Sequence, residues 1–158
     1  MSVYRKILVP IDGSPTSNRG LIEAIQLAKD QGATLRLVHV LDELILGAGA
    51  EAVVYLGNTV DLLREAGEQV VAEAEAVVRA SGLKPESVIR ETMGGRAADS
   101  IVAEASAWGA NLIVLGTHGR RGASRLVMGS DAEEIVRTAP VPVLLVKFNA
   151  ATGASRGR

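Results

Sequence analysis

Short runs of β-branched and aliphatic residues alternate along the chain with longer stretches whose apolar positions recur at helical spacing. The runs lie at 6–11, 34–40, 87–92, 112–115 and 141–146. Between them, Leu21, Ile25 and Ala28 mark one helical face, and Leu63, Val70 and Val77 mark another on a long helix over about 59–80. Ile101, Ala105 and Trp108 give a third face, and Ile135, Val136 and Ala139 a fourth. This alternation predicts an α/β fold: an open, doubly wound, Rossmann-like sheet of five parallel strands covered by four helices. Ser14-Pro15 reads as an N-cap followed by proline in the first helical turn, and Gly32, Gly82 and Gly109 fall where helices should stop. Residues 42–58, interrupted by Gly47-Ala-Gly49-Ala50, break the pattern and are expected to form a variable excursion. The stretch 149–158 is small, polar and basic, so order is expected over 1–148 and disorder beyond.

The length, 158 residues, suits one domain with a sizeable core. Its 47% apolar content comes from Ala, Val, Leu and Ile; the aromatics are Tyr4, Tyr55, Trp108 and Phe148. So few rings argue against binding nucleic acid by base stacking, and a net charge of -1 with interspersed signs presents no basic face. The absence of cysteine removes disulfides, thiolate metal sites and cysteine nucleophiles. Two histidines, His39 and His118, make no zinc site by themselves. The first apolar stretch is too short for a secretory signal and no run reaches spanning length, so a cytoplasmic protein without membrane insertion and with a small-molecule partner is expected.

In an open parallel sheet, ligands bind beyond the carboxyl ends of the strands, where the strand order reverses. If strands one and four are neighbours there, three segments converge: Pro10-Ile-Asp12-Gly13-Ser14, His39-Val40-Leu-Asp42, and the glycine segment from Gly116. That last segment reads Gly116-Thr117-His118-Gly119, nine residues, then Gly129-Ser130, ahead of a helical pattern starting near Asp131. Glycines before a helix start suit a phosphate, because backbone N–H groups can point at the anion and the helix end adds positive potential. A P-loop is excluded, since no Gly-Lys-Ser/Thr follows such a loop. Gly47-Ala-Gly49-Ala-Glu-Ala52 matches the dinucleotide fingerprint formally but does not follow directly from a strand.

The spacing Gly116-x-x-Gly119, nine residues, Gly129-Ser130 after the fourth strand resembles the ATP-binding branch of the universal stress protein family. The resemblance extends to Lys6-Ile-Leu-Val-Pro-Ile-Asp-Gly-Ser14, to Val38-His-Val40 and to Arg137-Thr-Ala-Pro-Val-Pro-Val-Leu-Leu-Val-Lys147, in the same order along the chain. It implies strand order 3-2-1-4-5 and a site for ATP, ADP or AMP, with or without Mg2+, across strands one and four. The adenine would lie near Pro10, Asp12 and Val40. The phosphates would meet backbone N–H groups of Gly119, Gly129 and Ser130, with the Ser130 hydroxyl and Arg120 or Arg121 adding contacts. Where the family often has a small or apolar residue, this chain has Asp131, which can cap the helix but repels a triphosphate unless Mg2+ or Arg120 compensates. The resemblance also implies a homodimer paired through the last strand, 141–146, which would otherwise be an open edge.

Each of these residues also has an ordinary role to weigh. Asp12 can simply shape the turn after strand one, Ser14 can be only a cap, and His39, inside a strand, is expected to be packed and hydrogen-bonded. His118 is expected in the loop, where solvation is the ordinary state, and only one of the adjacent Arg120 and Arg121 need face a ligand. Near the loop there is no P-loop lysine and no evident acid–base pair, so the expected function is a nucleotide-dependent regulator in the stress response. The alternatives are slow ATP hydrolysis or adenylyl transfer, with His118 or Asp131 orienting water, and a nucleotide-independent interaction module.

Overall fold

The alternation folds into β1 (Lys6–Pro10), α1 (Pro15–Gln31), β2 (Thr34–Asp42), α2 (Ala52–Ala80), β3 (Glu86–Thr92), α3 (Ala97–Trp108), β4 (Leu112–His118), α4 (Ser130–Thr138) and β5 (Val143–Phe148). The computed structural model describes residues 2–42, 52–118 and 128–149. The strands form one parallel sheet in the order β3-β2-β1-β4-β5, the expected order, with its reversal between β1 and β4. Residues 150–158 of the tail expected at 149–158, and part of the 42–58 excursion, lie outside the described residues.

Several boundaries differ from the sequence expectation. β4 runs on through His118, with Gly116, Thr117 and His118 paired to Val146, Lys147 and Phe148, so these three residues belong to the strand and not to a loop. The long helix starts at Ala52, within the expected excursion. Its buried line is Val71, Ala74 and Val78, whereas Leu63 is half-buried and Val77 is 46% exposed. The reason is phase: Val70 and Val77 each stand one residue, about 100° of rotation, before Val71 and Val78, so they fall to the side of the buried line. Val136 of α4 likewise faces solvent, leaving Ile135 as that helix's buried residue.

The centre of the sheet is buried on both sides. Ile7 and Val9 point to the face covered by α1 and α2, and Leu8 points to the face covered by α3 and α4; all three are fully buried. Helix α1 caps itself, because the Ser14 hydroxyl accepts from Ser17 N–H at 3.1 Å, and it ends on Gly32 in the left-handed region at φ 63°. Between these ends α1 lies unusually close to β4. A Cβ on Gly20 would stand 2.7 Å from the Gly116 backbone nitrogen, and a Cβ on Gly116 would overlap the Thr16 carbonyl. Only a pair of glycines allows this approach.

The crevice follows from strand pairing. β1 pairs with β2 as far as Pro10↔Val38, but with β4 only at Ile7↔Leu112 and Leu8↔Ile113. Beyond Leu8 the two central strands are no longer joined by backbone pairs, and the carboxyl end of the sheet opens between them.

Toward the amino end of β2, the α3 face holds a buried charge. Glu104, 4% exposed, receives Arg36 at 2.7 Å and Arg90 at 2.6 Å, and Arg36 also pairs with Glu86 at 2.6 Å. The Arg36 guanidinium lies 4.6 Å from the centre of the Trp108 ring, and Lys6 Nζ lies 5.3 Å from it. Burial alone would push the Glu104 carboxyl up, but the hydrogen bonds and charges of Arg36 and Arg90 outweigh it and hold it below its ordinary value. A carboxyl held low in the folded state stabilises the fold above its unfolded pKa, and this stabilisation fades as pH falls below about 4.5 toward the folded value. Glu104→Gln is therefore expected to lose about 2–3 kcal/mol in urea unfolding at neutral pH, since it removes the carboxylate both arginines share, although Arg36 keeps Glu86 and Arg90 can partly rehydrate. The gap between variant and wild type should narrow in acid; a gap independent of pH would contradict the role given to this ion group.

Candidate functional site

The open carboxyl end of the sheet encloses a cavity of about 390 Å³, within the size range of small-molecule sites. Its wall is made by the ends of β1, β2 and β4 and by the first turns of α1, α3 and α4. Of the residues expected at the site, Pro10, Asp12, Val40, Gly116, Thr117, Gly129, Ser130 and Asp131 all line it. His118 ends β4, while Gly119, Arg120 and Arg121 lie outside the described residues.

The β1–α1 turn is held by its own side chains. Asp12 Oδ1 accepts from Ser14 N–H at 2.8 Å, and Asp12 N–H donates to Ser17 Oγ at 3.1 Å. Asp12 thus shapes the turn, as its ordinary reading requires, yet it stays exposed and on the cavity wall. An ionised carboxylate has further acceptor sites on its second oxygen. Ser14 serves as a cap and also lines the cavity. His39 is hydrogen-bonded as expected, with its ring Nδ1 2.7 Å from the Ile11 carbonyl oxygen, and it too lines the wall.

The three glycines of the motif part company. Gly116 lines the cavity, but its missing Cβ is required by the α1 backbone, so its own fold explains it. Gly129 has an ordinary φ of -66°, and among the described residues nothing lies within 4 Å of where a Cβ would be. None of the described residues demands a glycine there. Gly129 is the N-cap of α4 and supplies no side chain to that end, and Glu133 N–H is already bonded to the Gly129 carbonyl at 3.0 Å. The N–H groups of Ser130, Asp131 and Ala132 precede that bond, so they belong to the set a helix leaves without intrahelical partners. Helix α3 likewise begins without a side-chain cap, at Arg96, with Ala97 on the cavity wall. Positive ends of two helix dipoles therefore meet one cavity, and the acid Asp131 stands at its edge.

Thr117 supplies a second polar feature. It shares the sheet face of Leu115, toward α3 and α4, and is 3% exposed. Its Oγ1 has no hydrogen-bond partner among the described residues, a costly state for a buried hydroxyl. Sequence reasoning did not place Ala97, Ile101, Ala132 or Ile135 in the wall. The available signal was Gly94-Gly95 between β3 and α3, a glycine turn at the carboxyl end of a strand just before a helix start. Among the described residues, no group of three or more acidic or histidine side chains is arranged to hold a metal ion, and no helix is long and apolar enough to cross a membrane.

Comparison with known proteins agrees with the fold. The family model described as "Universal stress protein family" matches residues 3–147. The universal stress protein MJ0531 of Methanocaldococcus jannaschii is 34% identical over 147 residues, covering 92% of this chain and 84% of that protein. A universal stress protein family structure from Burkholderia pseudomallei superposes with a TM-score of 0.72 at 32% identity, over 92% of this chain and 98% of the other. A universal stress protein solved in complex with cAMP (TM-score 0.62, 24% identity, 90% and 96% covered) has the same fold. So does one from Archaeoglobus fulgidus in complex with dAMP (TM-score 0.62, 21% identity, 93% and 100% covered).

The two glycines are expected to respond differently to a methyl group. Gly116→Ala forces backbone apart and should cost about 3 kcal/mol in chemical unfolding, while Gly129→Ala should stay within about 0.5 kcal/mol of wild type. Equal losses at the two positions would contradict this division between a packing glycine and a cavity glycine.

Proposed function

The chain belongs to the universal stress protein family, and from that premise we propose that it is an adenine-nucleotide-binding regulator of the stress response, with ATP, accompanied by Mg2+, as its ligand. The observation that carries this reading is the uncapped first turn of α4 opening onto the cavity beside Gly129, whose Cβ position is empty. Backbone N–H groups of Ser130, Asp131 and Ala132 can receive phosphate oxygens there, and the Thr117 hydroxyl can complete its hydrogen bonding on the ligand. The nucleoside would lie toward Pro10, Asp12 and Val40, with the second Asp12 oxygen accepting from ligand hydroxyl or amino groups. Gly119 and Arg120 would extend the phosphate contacts. Asp131 makes a divalent cation a natural companion of the phosphates, because it would otherwise add negative charge at the same place. Relatives solved with cAMP and with dAMP support adenine as the base.

Binding, with its effect on conformation or assembly, is the main act in this reading. Among the described residues, the titratable groups on the cavity wall are Asp12, His39 and Asp131, and the first two are tied to the backbone. A cytoplasmic location goes with such a sensor of the nucleotide pool. We place a homodimer contact at β5, which ends the sheet and exposes Leu144 to 38%.

Two outcomes are expected. In calorimetry with Mg2+ and ATP, the wild type binds, and Gly129→Ala and Thr117→Val each weaken binding about tenfold while remaining folded; unchanged affinity in both would remove the phosphate site from α4. In sedimentation, the wild type runs as a dimer and Leu144→Glu as a monomer; a dimeric Leu144→Glu chain would move the contact away from β5.

A further inference from the structure

His39 has no part in the ligand contacts proposed above, yet it is tied to the segment that presents Asp12. Its Nδ1 stands 2.7 Å from the carbonyl oxygen of Ile11. That carbonyl belongs to the peptide joining Ile11 to Asp12, whose N–H donates to Ser17 Oγ at 3.1 Å. One peptide is therefore gripped from both sides, by an imidazole from β2 and by a buried hydroxyl from α1. Ile11 is also held through its own N–H, which donates to Val38 O at 2.9 Å, beyond the last β1–β2 pair. The peptide just before the Asp12 side chain thus has both of its hydrogen-bonding groups engaged.

The carbonyl can only accept, so the ring must donate, and the neutral imidazole carries its proton on Nδ1. Helix α2 closes over the other edge of the ring. A Cβ on Gly67 would stand 2.8 Å from Leu41 Cδ2, 3.0 Å from His39 Cδ2 and 3.1 Å from Nε2, so the absence of a side chain at Gly67 makes room for Leu41 and for the imidazole. One turn along the same helix, Val70 lies over Gly13, with its Cγ2 3.1 Å from where a Cβ would be. Gly13 directly follows Asp12 and has a φ of +81°. The long helix thus touches the Asp12 turn at Gly13 and touches the imidazole that holds it.

We infer that His39, in its Nδ1–H tautomer, is a positioning residue for the nucleotide site, orienting the Ile11–Asp12 peptide so that the Asp12 carboxylate faces the nucleoside. This rests on the nucleotide reading above and adds to it a residue that acts only through Asp12. Nitrogen NMR of the wild-type chain at alkaline pH should show His39 protonated on Nδ1 and bare on Nε2. That readout needs neither a ligand nor a folded variant. In ATP calorimetry, His39→Leu should weaken binding about tenfold, the scale of one lost hydrogen bond. His39→Asn, whose amide nitrogen comes close to the Nδ1 position, should recover most of the loss. Asp12→Ala should weaken binding too, and adding His39→Leu to it should change little, because the two act as one unit.

A proton on Nε2 in the neutral ring overturns the inference. So does unchanged affinity in His39→Leu, absence of recovery in His39→Asn, or additive losses in the double variant. A wild type that binds no ATP is a different result: it overturns the nucleotide reading itself and takes this inference with it.

Discussion

Helix α1 lies against β4 backbone to backbone, and much of the carboxyl end of the sheet depends on that contact. Gly20 and Gly116 remove the two side chains that would hold the elements apart. The first turns of α1 therefore sit over β4, and Asp12, Ser14 and Ser17 are brought to the crevice where β1 and β4 cease to pair. Sheet topology opens the crevice; the glycine contact sets how closely α1 borders it. A motif glycine that would be taken for a ligand contact is thereby explained by packing.

The chemistry of the crevice comes from what is left unsatisfied around it. Helix α1 caps its own start with Ser14, whereas α3 and α4 begin without side-chain caps and face the same space. The buried Thr117 hydroxyl, without a partner among the described residues, adds a polar group on the wall. Uncapped helix starts and an unpartnered hydroxyl suit an anionic, hydrogen-bonding ligand and would be costly around an apolar one. The charged residues Glu104, Arg36 and Arg90 show the opposite condition. They satisfy one another at a helix–sheet contact and are explained by the fold alone.

Fold and site were legible in the sequence to different degrees. The β–α alternation carried the architecture because the central strands β1 and β4 are buried on both faces and read as apolar runs, Ile7 to Val9 and Leu112 to Leu115. Helix faces were harder: along α2, Val70 and Val77 have the same spacing as the buried Val71 and Val78 but stand one residue, about 100°, to the side, so spacing alone did not say which line faces the sheet. The strand end was hidden as well. Gly116-Thr-His118 has the composition of a loop, and only its pairing with Val146, Lys147 and Phe148 makes it strand. Gly116 and Gly129 look alike in a motif, and what separates them is a carbonyl of α1, contributed from a hundred residues earlier in the chain. For the same reason Ala97 and Ile101 could be read as core but not as cavity wall.

The most direct measurement of the central claim is a map of Mg2+-ATP onto the isotopically labelled protein by amide chemical-shift perturbation. The account predicts the largest shifts at Ser130, Asp131 and Ala132, at Thr117, and at Asp12 and Val40, with little change at the Arg36, Arg90 and Glu104 cluster. Saturable shifts centred anywhere else, or none at all, would contradict it.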